Sequence, residues 1–262
     1  MSIPAAELAA ALDRFLRVHE IPDKSLNGLQ VDGPDPVSRA ALATDAALAT
    51  IEAARAGGAQ LLVVHHGLFW GERPVPLTGG LWRRVAALIG GRLALYAAHL
   101  PLDVHPEVGN NAVLARRLEL VRPAPFGVRP GLPPDREGRP GALGLGGGLA
   151  RPLDRAGLRA WCSERLGSPV SLLPFGPEHV TSLAVVSGDA ADLAPEAARE
   201  GYDAFLTGET SHTAYHPALE AGVNLLCAGH YATETWGVRA LGEHLERRHG
   251  VETFFCDVPT GL

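Results

Sequence analysis

Apolar residues fall into two patterns along this chain. The first is the short unbroken run: AALA at 40–43, LLVV at 61–64 and LALYAA at 93–98. Such runs are what strands buried on both faces require, as in a parallel sheet. The second is helical spacing. Leu8, Leu12, Phe15 and Leu16 form an i, i+4, i+7, i+8 stripe, with Pro4 in the opening turn and Ser2 expected as the cap. Residues 46–56 are expected to form a helix capped by Asp45 and stopped by Gly57-Gly58; residues 81–89 form another, stopped by Gly90-Gly91. Strand, helix and strand with short connections make a parallel βαβ unit. The loop after Pro22 carries the turn signal Asn27-Gly28, residues 71–79 are a loop with proline and glycine, and a further helix is expected at about 111–118.

Residues 122–141 hold six prolines and four glycines without periodicity and are expected to be a linker or long surface loop. Residues 142–150 contain Gly144, Gly146, Gly147 and Gly148 but do not match G-x-G-x-x-G, so a strand or turn is expected there rather than a phosphate cradle. A helix follows at 154–166, with Leu158 and Trp161 inward.

The second half then repeats the first. With a shift of 144, TDAALATIEAARAGGAQLL lies over GDAADLAPEAAREGYDAFL without a gap, and the His65-His66 pair falls over Glu209 and Thr210. With a shift of 131, GRLALYAAHLPLD lies over GVNLLCAGHYATE, so His99 meets His230 and Asp103 meets Glu234. Alanine- and glycine-rich helices align easily by chance. A histidine with a carboxylate four residues later, kept in register after a buried strand, is harder to obtain that way. The expected fold class is therefore α/β, with two duplicated βαβ-based lobes in layered αβα arrangement. One lobe spans about 1–125 and the other about 126–262, with 228–262 packing on the first lobe and completing its site.

Composition narrows the partners. Of 262 residues, 46% are hydrophobic and 20% charged, which is ordinary for a globular chain. A formal charge of −6 and a pI near 6.0 argue against nucleic acid as the general partner. Cys162, Cys227 and Cys256 are an odd number without a C-x-x-C pair, which speaks against a disulfide framework and against thiolate zinc, and fits a reducing interior. The first residues lack the basic segment of a secretory signal, and no apolar run approaches the ~20 residues of a membrane span. A cytoplasmic location is expected.

The chemistry collects at strand ends. LLVV runs directly into His65, His66 and Gly67, and open α/β sheets place their sites beyond the carboxyl ends of strands. Neighbouring side chains on an extended strand point to opposite sides, so this segment taken alone reads as one core and one surface histidine. Both serve one site only if the chain turns there, which Gly67 would permit, or if each serves a different ion. Four strand ends carry such groups: His65-His66, His99 with Asp103, Glu209, and His230 with Glu234. Pro101 makes the His99–Asp103 segment a loop on this reading, whereas Glu234 falls in the first turn of the last helix. Imidazole and carboxylate without thiolate suit Zn, Fe, Mn, Co or Ni rather than Ca or Mg. The ligands are too many for one structural zinc and leave open positions if two ions share them, the mark of a catalytic metal.

SLNGLQV, HHGLFW, AAHLPLDVHPEVGNNAVLA, DAFLTGETSH and AGHYATE together resemble the NGG-interacting-factor-three-like dinuclear metal-centre family, the type 2 homologues of GTP cyclohydrolase I. The match runs in order over nearly the whole chain. The resemblance implies two intertwined, duplicated α/β lobes and a toroidal homo-hexamer with paired metals facing its interior. It implies two divalent transition-metal ions per subunit, held by His65, His66, Asp103, His230 and Glu234, with Glu234 as the bridge. His99 matches a histidine beside the site, a proton shuttle on this reading.

Two functions stay open. One is a metal-dependent hydrolase acting on a nucleotide-like or phosphoester small molecule, with His99 or Glu209 moving protons. The other is a metal-handling or cofactor-assembly protein without turnover of its own. An enzyme needs groups that orient substrate, and Asn27, Asn110, Glu209 and His212 are candidates.

Overall fold

The computed structural model describes residues 2–262 apart from Glu72 and Arg136, which fall within the expected loops 71–79 and 122–141 and lie outside the described residues. The chain is mixed α/β with two sheets in two compact units. One unit takes the residues up to Leu102 together with Gly237–Val258; the other takes Asp103–Trp236 and Pro259–Leu262.

The first unit contains α1 (Ala5–Leu16), β1 (Gly28–Val31), β2 (Arg39–Asp45), α2 (Leu48–Ala56), β3 (Leu61–His66), α3 (Gly79–Gly90) and β4 (Ala94–Ala97). Its sheet has the order β1-β4-β3-β2-β11, where β11 is Glu252–Phe255 and only β1 is antiparallel to its neighbour. The apolar runs are buried because both sheet faces are covered. Ala41, Ala43, Leu62, Val64, Leu95 and Ala97 pack with Ile51 and Ala54 of α2 and Val85 and Leu88 of α3. On the other face, Tyr96 donates to Asp13 of α1 at 2.8 Å, and a side chain at Gly242 would run into Leu42. Gly242 lies on the last helix, α9 (His230–His249).

Two expected caps are not formed. The residue preceding α1 is Pro4, and the Ala5 N–H is taken by the Asp35 carboxylate at 2.5 Å rather than by Ser2. Asp45 ends β2 instead of capping α2. The Thr50 hydroxyl accepts from the Ala47 N–H at 3.0 Å, which leaves the Asp45 carboxylate for another partner.

The second unit contains α5 (Asn110–Arg117), β5 (Val121–Val128), β6 (Ala142–Asp154), α6 (Arg155–Leu166), β7 (Ser171–Leu173) and β8 (His179–Val185). It continues with α7 (Ala194–Arg199), β9 (Ala204–Thr207), α8 (His212–Ala221) and β10 (Asn224–Cys227). The sheet order is β5-β6-β8-β9-β10-β7. Leu183, Val185 and Leu206 pack with α5 and α6 through Leu114, Leu158 and Cys162, while Ala184, Phe205 and Leu225 pack with α7 and α8 through Ala194, Ala197 and Ala218. This unit is therefore a sheet between two helical layers.

Residues 121–128 correct the linker expectation: they form a strand despite Pro123 and Pro125. Proline lacks an N–H to give, and β5 lies at the sheet's edge, where one side of the strand needs no donor. The glycine-rich segment is β6, as expected. A side chain at Gly146 would run into Tyr202 and one at Gly144 into the Val185 carbonyl, so these glycines make room within the sheet. The segment after His99 is also corrected, from loop to the single-turn helix α4 (Leu100–Asp103). Pro101 sits in its first turn, where a missing N–H costs nothing.

The internal repeat survives at the level of strand register. β2 and β3 pair Ala40 with Leu61 and Ala41 with Leu62; β8 and β9 pair Ala184 with Phe205 and Val185 with Leu206, each displaced by 144. β3 pairs Leu61 with Ala94, and β9 pairs Phe205 with Leu225, which is the shift of 131 on the third strand. Each unit thus has three parallel strands and an antiparallel strand beyond the third. They differ at the other edge: β11 is parallel to β2, whereas β6 is antiparallel to β8.

Candidate metal centre

In the first unit, His65 and His66 end β3 between its two neighbours. The parallel register sets His66 opposite Asp45, and the His66 Nδ1 lies 2.9 Å from the Asp45 Oδ1. His65, facing the other side, is fully buried, and its Nδ1 lies 3.0 Å from the Ala98 carbonyl oxygen just past β4. Alternation would separate the two imidazoles, yet their centroids are 4.5 Å apart, and His99 lies 5.0 Å from His65 and 5.6 Å from His66. One ring nitrogen from each of the three falls within 4.8 Å of the others. The expectation of one core and one surface histidine is therefore replaced by a single cluster. Gly67 serves it by lacking bulk: a Cβ there would meet the Ala97 Cβ at 2.6 Å and the amide of Gln30.

His99 is held by Asp23, which the sequence reading passed over, and by Asn27. Its Nδ1 lies 3.0 and 3.1 Å from the two oxygens of Asp23, and its backbone N–H donates to the Asn27 Oδ1 at 2.8 Å. Asn27 in turn donates to Asp23 at 2.9 Å, and the Leu100 N–H does the same. Burial raises the Asp23 carboxyl's pKa, but the His99 hydrogen bond and charge, with Asn27 and the Ser25 N–H, outweigh it and hold that carboxyl well below the usual carboxylate range. The signal was present in the Asp23…Asn27-Gly28 spacing, which carries an acid four residues before the turn. Asn27 is consumed in this clamp and is no free substrate-orienting group.

In the second unit, His230 opens α9 and Glu234 lies one turn on, with the His230 Nε2 3.0 Å from the Glu234 Oε2. The His230 Nδ1 lies 2.7 Å from the Oε1 of Glu209, two residues past β9. The Glu234 hydrogen bond does most to raise the His230 pKa, burial opposes it, and Glu209 adds to it, bringing it to about 9. An Asp103 carboxylate oxygen lies within 4.8 Å of one from Glu234. Asp103 is buried and accepts from the Asn110 side chain at 2.9 Å and the Ser187 hydroxyl at 3.1 Å, so Asn110 is also spent internally. Gly188 is the other residue missed: a Cβ on it would fall on the Glu234 Oε1 and 3.3 Å from the His230 Nε2. His212, at the exposed start of α8, is in none of these clusters.

The donor chemistry fits a divalent transition metal. In all four imidazoles the Nδ1 meets a carbonyl or carboxylate acceptor, which favours the proton on Nδ1 and leaves Nε2 as the nitrogen that could coordinate; at His230 the Nε2 also meets Glu234 and would have to give up its proton to do so. That is the outer-shell arrangement of metal-ligating histidines. His105 shows the contrast. Its Nδ1 accepts from the backbone N–H groups of Glu107 and Val108 at 3.2 Å, as a cap does.

A model of the family described as Duf34/NIF3 (NGG1p interacting factor 3) matches residues 3–261. The chain belongs to the Duf34/NIF3 family. Within it, a GTP cyclohydrolase 1 type 2 homolog of Deinococcus radiodurans is 43% identical, the alignment covering 98% of this chain and 94% of that protein. One from Halobacterium salinarum is 48% identical over 94% of this chain and 95% of its own length. The crystal structure of a Thermus thermophilus protein, 41% identical, superposes with a TM-score of 0.86 over 98% of this chain and 99% of that one. The two-sheet mixed α/β architecture is thus that of NIF3-family structures. Among the described residues no helix is long and apolar enough to cross a membrane.

Proposed function

We propose that this Duf34/NIF3 protein is a dinuclear metal-dependent hydrolase acting on a nucleotide-like or phosphoester small molecule. The observation that carries the reading is the common anchoring of the four imidazoles through Nδ1. On this reading His65, His66, Asp103, His230 and Glu234 hold two ions, the family resemblance joining the ligand sets of the two units into one centre, with Glu234 as the bridge. The ions would supply Lewis-acid activation of water and of the attacked group. Asp103 and Glu234 would offset two of the four positive charges, and Asp45, Asp23 and Glu209 stand behind the histidines. The absence of cysteine from these ligands favours Zn, Fe, Mn, Co or Ni. Asp23 fixes the Nδ1 proton of His99, so that His99 Nε2 takes or gives a proton. Glu209, engaged with His230, positions that ring.

The same reading includes a closed homo-oligomer, a hexamer by the resemblance, in a reducing cytoplasm. Exposed apolar residues such as Trp82 and Ile89 on α3 are consistent with an assembly. One observation favours the alternative of a metal-handling protein without turnover: Asn27 and Asn110, candidates for orienting substrate, are spent on holding His99 and Asp103. Metal analysis of the purified protein, followed by a broad hydrolase screen with Asp103→Ala as the control, separates the two. Two equivalents of metal with an activity lost in Asp103→Ala supports the hydrolase. Two equivalents with no activity supports metal handling, and less than one equivalent in fully loaded protein refutes both.

A further inference from the structure

Trp70 lies four residues beyond His66, and three contacts fix its place. It forms an antiparallel bridge with Ser25, the Gly71 N–H beside it donates to the Lys24 carbonyl at 2.6 Å, and its indole N–H donates to the Gly67 carbonyl at 3.0 Å. The ring stands against His99 with centroids 4.9 Å apart and planes at 70°, and 6.1 Å from His66. It is thus a rigid aromatic wall of the imidazole cluster. Yet 40% of Trp70 remains exposed. Leu26, whose N–H donates to the Phe69 carbonyl at 3.0 Å, emerges from the paired segment and is 55% exposed. A large apolar surface held in one orientation beside polar rings is what a flat, polar-edged molecule requires. It stacks on the indole at small entropic cost, while its edge meets groups that can hydrogen-bond.

We propose that Trp70, flanked by Leu26, is the stacking platform for a planar heteroaromatic ring of the substrate, a nucleobase being the plainest case. This rests on the metal-hydrolase reading for its placement beside a reacting centre, but ring binding itself needs no turnover. An aliphatic ligand is disfavoured, because it would cover the polar edge of His99 without hydrogen-bonding to it. Trp70 is on this account a binding residue that selects the substrate class.

The test is calorimetric binding of adenosine 5′-monophosphate to the full chain loaded with Zn²⁺, with ribose 5-phosphate as the probe that lacks the ring. The nucleotide is expected to bind saturably. Trp70→Leu weakens it about tenfold or more, and Trp70→Phe restores it to within about threefold. Ribose 5-phosphate binds all three proteins alike. No nucleotide binding by the parent, equal nucleotide affinity in parent and Trp70→Leu, or an equal loss for both probes would each overturn the proposal. So would a change in assembly mass in Trp70→Leu with nucleotide affinity unchanged, which would make the exposed indole a subunit contact. Zinc content, measured in parallel, keeps the two readings apart. A parent without stoichiometric zinc defeats the metal centre, whereas full zinc with indifferent nucleotide binding defeats the stacking platform alone.

Discussion

Gly188→Ala offers the sharpest examination of the second ligand set. Gly188 has φ +69°, where an L side chain costs about 1–2 kcal/mol. Its Cβ would also fall on the Glu234 Oε1, 3.2 Å from the Glu234 Cδ and 3.3 Å from the His230 Nε2. Carbon and oxygen need roughly 3.5 Å, so the carboxylate must move by on the order of 1 Å. Neither side yields easily. The Gly188 N–H is tied to the Thr233 hydroxyl at 3.1 Å, and the neighbouring Ser187 hydroxyl holds Asp103. Displacing a ligand in this way is expected to weaken divalent-metal binding about 10–100-fold, as loss of an outer-shell partner does. Gly167→Ala is the matched control. Gly167, the C-cap of α6, has φ +66° with nothing within 4 Å of a built Cβ. Both variants should lower the melting temperature of metal-free protein by a few degrees, but only Gly188→Ala should lower Co²⁺ affinity, read from visible absorption in competition with a chelator. Parental affinity in Gly188→Ala, or an equal loss in Gly167→Ala, would refute the placement of Glu234 and His230 as ligands.

Three further outcomes follow from particular contacts. Glu234→Gln should reduce metal occupancy more than Glu209→Gln, because a bridging carboxylate offsets both ions while Glu209 acts through His230; equal metal content in the two variants, by elemental analysis, would remove Glu234 from the bridge. Glu196 pairs with Arg129 through two bonds of 3.0 and 3.1 Å, and that hydrogen bond lowers its pKa against the opposing effect of burial. Its stabilisation is present above the unfolded carboxyl pKa and is lost as pH falls through the folded one, so Glu196→Gln should be about 1 kcal/mol less stable at pH 7 and indistinguishable from the parent near pH 2 in urea titrations. Burial pushes the Cys162 thiol up to about 12 and the Cys227 thiol, half-buried, up to about 11. A thiol-specific disulfide reagent at pH 8 should therefore react slowly with native protein, at Cys227 before Cys162, and rapidly in denaturant; prompt labelling of Cys162 in the native state would contradict its burial.

Local pattern determined much of this protein. Unbroken apolar runs located β2, β3 and β4 because a strand covered on both faces excludes polar side chains that lack a partner. The two shifts of 144 and 131 already contained the equivalent strand registers, since side-chain period and strand pairing leave little freedom once the buried face is chosen. The histidines and carboxylates at strand ends were legible as residue types suited to metal. What those residues touch was decided by tertiary structure. Asp45 has the sequence of a helix cap, but the register of β2 with β3 sets it beside His66, and Thr50 takes the capping role. Asp23 is 76 residues from His99, and no periodicity relates them. Gly67 and Gly188 are needed for space against Ala97 and Glu234, a requirement created only when distant segments pack. Pro123 and Pro125 argue for a loop locally, yet an edge position in the sheet tolerates them. Hydrophobic period is a property of one segment in an environment, whereas the orientation of an imidazole depends on the acceptor that a second segment brings to it.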